Sequence, residues 1–310
     1  MGGLRVTLLA GGTGGTKLAH GFSLAGPEVE LTVVANVGDD VEIHGLHVSP
    51  DIDTLLYTLS GLVDTERGWG VRGDTLSAHA MFERLGQPTW FTVGDADLAT
   101  HTHRTHLLRA GASLTEATAA LAAALGIGAR ILPATNDRLR TRLETDAGLL
   151  EFQDYFVRLR QEPTVTGIRL DGLENARPTD AVLAAIADAE LIVIGPSNPF
   201  VSIGPILELA GVRQALAAAS APKVAVSPIV AGQAIKGPAD RMMSSMGHES
   251  SALGVARLYA GLVDRFVIDI ADADLRPGIE DLGMSVQVLP TVMRTDDDRR
   301  ALGATILSGG

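Results

Sequence analysis

Short apolar segments alternate along this chain with segments of helical spacing, and this alternation is the feature that most restricts the fold. Runs such as LRVTLLA (4–10), ELTVVAN (30–36) and TWFTVGD (89–95) predict strands, and each run is followed by or ends in glycine or polar residues. The run at 191–194 is apolar throughout, as expected for a strand in the middle of a parallel sheet. The pattern predicts an α/β fold, with a doubly wound, mainly parallel, Rossmann-like sheet.

The alternation is interrupted between residues 134 and 178, where charged and aromatic residues are more frequent and alanine is rarer. We interpret 134–178 as a smaller inserted α+β segment made of short strands and one helix. Residues 1–133 then form the N-terminal half of the sheet, and 179–310 complete the same sheet. In such sheets ligands bind beyond the carboxyl ends of the strands. We therefore expect the polar strand ends to converge on one crevice.

Composition excludes several classes of function. The 310 residues include 37 acidic and 25 basic ones, and the net charge of −12 argues against a nucleic-acid partner. The chain has no cysteine, which excludes disulfides, thiolate nucleophiles and cysteine-ligated metals. No stretch reaches the ~18 apolar residues of a membrane span. We expect a soluble cytoplasmic protein that acts on small molecules and binds neither nucleic acid nor membrane.

A glycine-rich turn, GGTGGTK, lies at 11–17 between the first predicted strand and its helix. Glycines there allow backbone N–H groups to approach a phosphate at a helix N-terminus. The spacing excludes a P-loop, which would need glycine in place of Thr16. A dinucleotide fingerprint would need glycine at position 17 and an acid at position 36. Contact with a phosphate or nucleotide is favoured over a simple packing turn, through Gly12, Thr13, Gly14, Gly15, Lys17 and Asn36.

A second turn, GPSNP at 195–199, follows the apolar strand at 191–194. Ser197 and Asn198 place a hydroxyl and an amide between prolines that restrict the backbone. Two interpretations remain open here, a second anion site and a proline-stiffened turn capped by Ser197.

Four aspartates follow the glycine turn closely, in NVGDD (Asp39, Asp40) and SPDID (Asp51, Asp53). Asp53 is also a natural helix N-cap. Four carboxylates at two converging strand ends repel one another unless a cation lies between them. Mg²⁺ binds a few carboxylates together with phosphate oxygens, so we predict that glycines hold phosphates and aspartates hold Mg²⁺. The histidine-rich stretch THTHRTH at 100–106 lacks zinc-site spacing, and a single histidine near the crevice is the simpler interpretation.

These motifs, taken in order, resemble one family closely. The chain is similar almost end to end to the 2-phospho-L-lactate and phosphoenolpyruvate transferases (CofD/FbiA) of coenzyme F-420 biosynthesis. The resemblance is carried by GGTGGTKL, NVGDD, SPDIDTLLYTL, RGWGVRGDT, GDADLATH, LRAGASLTEAT, ILPATND, FQDYFVRLR, IGPSNPFVSIGPIL and VSPIVAG. The forms NVGDD and RGWG are more similar to the phosphoenolpyruvate branch.

The resemblance implies a Mg²⁺-dependent transfer. The donor would be a guanosine diphosphate ester of enolpyruvate or lactate, and the acceptor the ribityl hydroxyl of the deazaflavin Fo. The hydroxyl would attack the acid-side phosphorus and GMP would leave. The family also implies a homodimer.

The resemblance also implies roles for individual residues. Asp51 and Asp53 would be catalytic, and one of them would accept the hydroxyl proton. Metal would be held by Asp39, Asp40 and Asp51, while the glycine turn, Ser197 and Asn198 would bind donor phosphate or guanosine groups. The deazaflavin would contact Asp53, Thr92 and Asp95.

Two positions depart from the family pattern, and both bear on donor preference. Ala96 stands where relatives have arginine, and Asn136 stands where aspartate is usual. The donor acid is left open among phosphoenolpyruvate, phospholactate and phosphoglycerate. Two other functions compete with transfer. One is a non-catalytic nucleotide-sugar-binding regulator of the same superfamily, disfavoured by SPDIDT, GDADLATH and FQDYF. The other is a nucleotide-dependent dehydrogenase, disfavoured by Lys17 and Asn36.

Overall fold

The computed structural model of the chain describes residues 3–26 and 28–309. At its centre lies a parallel sheet of seven strands, in the order β3-β2-β1-β4-β5-β6-β7. The strands are β1 (Leu4–Ala10), β2 (Val29–Ala35), β3 (Arg130–Pro133), β4 (Leu191–Ile194), β5 (Lys223–Val226), β6 (Arg265–Asp269) and β7 (Ser285–Leu289). The predicted doubly wound parallel sheet is confirmed.

The strand order reverses between β1 and β4. The chain runs outward from β1 to β2 and β3, then returns to place β4 on the other side of β1, with Leu8 paired to Val33 and Val193. Loops after neighbouring strands lead in opposite directions at such a reversal and leave a crevice between them. The glycine turn after β1 and the turn at 195–199 after β4 flank this crevice.

Helices cover both faces of the sheet, because its central strands are buried over most of their length. Every residue of β4 is buried, and so is β1 from Val6 to Ala10. The helices are α1 (Gly12–Leu24), α2 (Pro50–Leu59), α3 (Ser77–Arg84), α4 (Asp95–Arg109), α5 (Leu114–Ala124), α6 (Asp180–Ala187), α7 (Gly204–Leu207), α8 (Val212–Ala218), α9 (Ala239–Ser245), α10 (Ala252–Leu258), α11 (Arg276–Glu280) and α12 (Asp296–Leu307). Short π-helical and 3₁₀ turns occupy Asp154–Arg158, Pro199–Ile203 and Ile270–Leu275.

A separate antiparallel sheet lies between β3 and α6. Its strands pair in the order Gly148–Glu151, Arg140–Thr145, Val165–Asp171. It has a small apolar cluster of its own, in which Leu143, Tyr155 and Val165 contact Val201 and Met242. This cluster fixes the π-helical turn at Asp154–Arg158 beside the crevice. Two short hairpins complete the strands, Val41–Ile43 with Leu46–Val48 and Ile229–Val230 with Gln233–Ala234.

The predicted strand at 89–95 is wrong. Residues 87–94 are irregular, and α4 begins at Asp95. The place beside β2 is taken by β3, which pairs with Thr32–Ala35. The apolar pattern has another cause, since Trp90 and Phe91 are partly buried and pack edge to face, with ring centroids 5.8 Å apart.

No single helix within residues 3–26 and 28–309 is long and apolar enough to cross a membrane. Only two helical segments taken together, Pro199–Leu207 and Val212–Ala218, reach that length and composition, and they are bent by 80°.

Candidate active site

A cavity of about 470 Å³ opens at the reversal point of the sheet, beyond the carboxyl ends of its central strands. The glycine turn, the residues after β2 and the start of α2 form its wall on one side. The rest comes from the segments 152–157, 196–202, 227–239 and 291–293, together with Trp69, Gly70, Phe91, Thr92, Asp97 and His101. Chain segments that are far apart in sequence therefore supply polar groups to one enclosed space, the usual setting of a ligand site.

The glycine turn lies against the start of α2 and the turn after β4. The Gly12 N–H donates to Asp51 Oδ1 at 2.5 Å, and the Gly11 N–H donates to Ser197 Oγ at 3.4 Å. Gly12 has φ of 62°, in the left-handed region that favours glycine. The first free amide of α1 thus holds a carboxylate, as the partial positive charge of a helix N-terminus favours.

Asp39 and Asp51 lie close together because they share one amide donor. Asn36 Nδ2 donates to Asp51 Oδ2 at 2.9 Å and lies 3.4 Å from Asp39 Oδ1. Both carboxyls are buried, which raises the pKa of Asp51 to about 6 and the pKa of Asp39 well above its usual range. Repulsion by Asp51 and Asp40 adds to the shift of Asp39. Ionisation of these two carboxyl groups is therefore unfavourable, and a bound cation would stabilise the ionised pair.

One carboxylate oxygen of Asp40 forms its hydrogen bonds outside the Asp39–Asp51 pair. Its Oδ2 lies 2.9 Å from His47 Nε2 and accepts from Ser49 Oγ at 3.0 Å. The other oxygen, Oδ1, is buried and has no hydrogen-bond partner among the described residues. Asp40 thus links the hairpin at 41–48 to the start of α2.

Asp53 is fixed by a buried arginine. Both of its oxygens accept from the guanidinium of Arg104, which α4 supplies and which is completely buried. His101 lies one turn earlier on α4, with Nδ1 3.5 Å from Asp53 and Nε2 3.2 Å from Asp97. Burial alone would lower the pKa of Arg104, but the contact with Asp53 raises it. The guanidinium therefore stays charged and orients the Asp53 carboxylate.

Asp97 ends this chain of contacts at the cavity. Tyr57 Oη donates to Asp97 Oδ1 at 2.6 Å. Burial opposes ionisation of Asp97, yet the close contact with His101, the hydrogen bond from Tyr57 and the nearby Arg104 charge lower its pKa. The cavity thus contains an ionised carboxylate at 97 as well as the carboxyl groups of Asp39, Asp51 and Asp53.

Thr92 and Asp95 are placed differently. Thr92 lines the cavity. Asp95 does not, because its carboxylate accepts from Thr75 Oγ1 and from the N–H groups of Ser77 and Ala78 at 3.1 and 2.9 Å. It therefore caps α3.

Asn198 and Lys17, which were predicted to bind the donor substrate, also form hydrogen bonds within the protein. Asn198 Oδ1 accepts from the N–H groups of Phe200 and Val201 and so caps the π-helical turn, while Nδ2 lies 3.3 Å from Met242 Sδ. Lys17 lines the cavity, and its ammonium donates to the Met293 carbonyl at 2.9 Å.

Comparison with known proteins identifies the family to which this chain belongs. A family model described as 2-phospho-L-lactate transferase CofD matches residues 6–288. The chain belongs to the CofD family.

Named members of the CofD family match the chain over nearly its whole length. A phosphoenolpyruvate transferase of Streptomyces griseus is 41% identical over 304 residues, covering 96% of this chain and 95% of the relative. A 2-phospho-L-lactate transferase of Methanosarcina mazei is 39% identical over 300 residues, covering 97% and 98%. The resemblance stated from the motifs is confirmed, and the chain is an enzyme of the transferase class.

Solved structures support the fold alone. A Bacillus halodurans protein described as a member of the UPF0052 family superimposes with a TM-score of 0.65 at 18% identity, covering 99% of each chain.

The sequence analysis of this CofD-family chain missed Gln153 and Lys236, which line the cavity. It also missed Arg104, which is fully buried and contacts Asp53. Gln153 Nε2 donates to the backbone carbonyl of Asp39 at 3.0 Å and so ties the inserted sheet to the acidic pair. Gln153 lies in the motif FQDYFVRLR, and the histidine-rich stretch at 100–106 places a single histidine, His101, at the cavity. Arg104 and Lys236 carried no signal, because their partners are remote in sequence.

Gly14→Ala should destabilise the protein although alanine favours helices by roughly 1 kcal/mol over glycine. A Cβ at position 14 would overlap the carbonyl oxygen of Pro196, so the two turns that flank the crevice would have to separate. We expect a net loss of about 1–3 kcal/mol in the free energy of unfolding, measured by urea denaturation. Gly128→Ala is the matched control, since its Cβ meets no described atom within 4 Å. Equal stability of the two variants would contradict the close approach.

Proposed function

We propose that the chain transfers a phosphoenolpyruvyl group, or the related 2-phospho-L-lactyl group, to the ribityl hydroxyl of the deazaflavin Fo in coenzyme F-420 biosynthesis. The donor is a guanosine diphosphate ester, and GMP is released. One observation supports this above others: a single cavity combines backbone amides and lysines, which suit phosphates, with the buried Asp39–Asp51 pair, which suits a cation. The names of the relatives support the transferred group.

Magnesium is the ion that we propose for this reaction. Among residues 3–26 and 28–309 no three His, Asp or Glu side chains surround a common metal position. Two carboxylates that share the Asn36 amide still fit an ion that binds one or two carboxylates plus substrate phosphates. When bound, Mg²⁺ would neutralise charge on the phosphoryl oxygens. Asp40 as a further ligand stays a prediction, since His47 and Ser49 engage one of its oxygens.

The chain's own groups position the acceptor and take its proton. As the ribityl oxygen bonds to the acid-side phosphorus, the bond from that phosphorus to the oxygen of GMP breaks and the hydroxyl proton passes to a carboxylate. A base works best when its pKa lies near the operating pH, and burial places the pKa of Asp51 at about 6. Both oxygens of Asp53 already accept from Arg104. We therefore infer that Asp51 accepts the proton and that Asp53 orients the hydroxyl.

The proposal also concerns which acid, enolpyruvate or lactate, the donor carries. The two relatives named above differ in donor, and their identities of 41% and 39% do not separate the branches. The forms NVGDD and RGWG favour phosphoenolpyruvate. The cavity volume admits either acid, because enolpyruvate and lactate differ by only two hydrogens.

A direct transfer assay tests the proposal. Purified protein is incubated with Fo, Mg²⁺ and each guanylylated acid in turn, and new deazaflavin phosphodiesters are followed by mass spectrometry. We expect product with the enolpyruvyl donor, and loss of that product when EDTA is added and its return with excess Mg²⁺. Product that is unaffected by EDTA would overturn the role of the metal. No product with any donor would overturn transfer itself.

Two further expectations stay predictions, a homodimer and a cytoplasmic location. Light scattering at several protein concentrations measures the first, and fractionation of the source cells measures the second.

A further inference from the structure

Two of the three lysines in the chain, Lys17 and Lys236, line the cavity. Lys17 lies on α1, and Lys236 follows the hairpin strand Gln233–Ala234. Their described hydrogen bonds go to backbone carbonyls, from Lys17 to Met293 at 2.9 Å and from Lys236 to Arg67 at 2.7 Å. Among residues 3–26 and 28–309 no carboxylate lies within 4.0 Å of either ammonium, although the chain has 37 acidic residues. Lys223, the third lysine, has Asp264 at 3.6 Å.

The two ammonium groups share the cavity, and the charge of Lys236 acts on Lys17. Burial lowers the pKa of both, and repulsion by Arg299 and by Lys236 lowers that of Lys17 further. Two unpaired cations near each other are stabilised by an anion placed between them. Each ammonium carries three N–H donors and uses one of them on a described partner, so donors remain for the oxygens of such an anion.

Lys236 also holds a loop across the glycine turn. This strap comprises residues 64–70 and is closed at its base by the bridge between Val63 and Val71. The Asp64 N–H donates to the Gly70 carbonyl at 3.0 Å, and the Gly68 N–H donates to the Asp64 carbonyl at 2.7 Å. The strap therefore keeps its own shape.

The tip of the strap lies directly on Lys236 and the glycine turn. A Cβ built on Gly68 would lie 3.0 Å from Lys236 Nζ and 3.6 Å from Thr13 Cγ2. Trp69 and Gly70 line the cavity, and Trp69 is 44% exposed. The bond from Lys236 to the Arg67 carbonyl thus joins the strap to a cationic group of the cavity.

We propose that Lys17 and Lys236 form an anion site for the phosphate groups of the donor, and that Lys236 couples occupancy of this site to closure of the strap. An anion bound by the free N–H groups of Lys236 fixes that side chain, and the remaining N–H group then holds the Arg67 carbonyl in place. The strap closes over the occupied cavity and shields the phosphates from water. The identity of the anion as the donor rests on the proposed function, whereas the site and the coupling do not.

The two tryptophans of the chain, Trp69 and Trp90, provide the test. In a Trp90→Phe background Trp69 is the single tryptophan, and its accessibility is measured by acrylamide quenching. Inorganic pyrophosphate is titrated in EDTA, and its affinity is measured in parallel by calorimetry. We expect saturating pyrophosphate to reduce quenching at least twofold.

Three lysine variants separate binding from coupling. Lys236→Met should weaken pyrophosphate binding about tenfold, as loss of one charge-assisted contact predicts, and should remove the shielding of Trp69 even at saturation. Lys17→Met should weaken binding similarly but leave the shielding at saturation intact. Lys223→Met is the matched control, because it makes the same change in charge at the amino end of β5 and should change neither readout.

The outcomes are distinct from those of the transfer assay. Lys236→Met with unchanged affinity and unchanged shielding would overturn the proposal. Shielding that disappears equally in Lys17→Met and Lys236→Met would overturn the coupling role of Lys236. Because pyrophosphate binding requires no turnover, lysine-dependent binding without any transfer product would retain the anion site and refute the proposed function.

Discussion

Replacement of Asp51 by asparagine is expected to abolish transfer while making the ligand-free protein more stable above neutral pH. The activity loss follows from the proposed roles of Asp51 in holding the cation and in accepting the proton. Loss of such a group costs several kcal/mol of transition-state stabilisation, so turnover should fall at least ~100-fold. Direct transfer assays at saturating substrate measure it.

The gain in stability follows from the raised pKa of the same group. Burial raises the pKa of Asp51 from 3.8 to about 6, so the folded state binds more protons than the unfolded state between these values. Stability contributed by Asp51 is therefore lost as the pH rises through about 4–6 and stays lost above it. The deficit is at most about 3 kcal/mol. Asparagine keeps an acceptor for Gly12 N–H but places an N–H group near Asn36, so we expect a net gain of about 1–2 kcal/mol.

The measurement is urea unfolding in EDTA at pH 5 and pH 8. Wild-type protein should lose stability between the two values, and Asp51→Asn should lose less. Asp281→Asn, at an exposed carboxyl just before β7, is the control and should match wild type in both stability and turnover. A variant at position 51 that is less stable than wild type at pH 8, or that keeps a tenth of its turnover, would contradict the assignment.

The fold could be predicted because its signals are local. The apolar run of β4 and the glycine turn after β1 each identify themselves within a few residues, and the rule for parallel sheets then places their carboxyl ends together. The same reasoning brought Asp39 and Asp51 to one site, since one follows β2 and the other begins α2. The segment at 89–95 shows the limit of prediction from local sequence. Its apolar pattern fits a strand in the sheet and a segment that lines the cavity equally well.

Contacts between remote segments lay beyond local patterns. Asp53 and Arg104 are 51 residues apart, on helices whose relative placement depends on the hairpin at 41–48 and on the irregular segment at 87–94. Asp95 shows the opposite case. The family resemblance placed it at the deazaflavin, but its carboxylate accepts hydrogen bonds from the N–H groups of Ser77 and Ala78 instead. Side chains at strand ends thus have competing partners, and only the tertiary structure selects among them.

Replacement of Arg104 by methionine is expected to destabilise the folded protein strongly. It leaves the Asp53 carboxylate, which is 5% exposed, buried without its cation. Breaking a buried pair by removing one partner costs about 3–5 kcal/mol, which corresponds to a fall in Tm of roughly 5–10 °C for a chain of this size. Arg104→Lys should be intermediate, because lysine cannot form the two-pronged contact.

A double-mutant cycle isolates the pair from the packing of the arginine stem. If the cost arises from the unpaired carboxylate, Asp53→Asn combined with Arg104→Met should be more stable than the sum of the single changes by about 1–3 kcal/mol. Arg142→Met is the control, since Arg142 pairs with Glu151 and Asp171 at partly exposed positions, where such pairs contribute at most about 1 kcal/mol. Additive costs in the cycle, or an Arg104→Met cost equal to that of Arg142→Met, would show that Arg104 serves packing and does not hold Asp53. A non-additive result would mean that the orientation of the Asp53 carboxylate is maintained by a charge that α4 brings into the core.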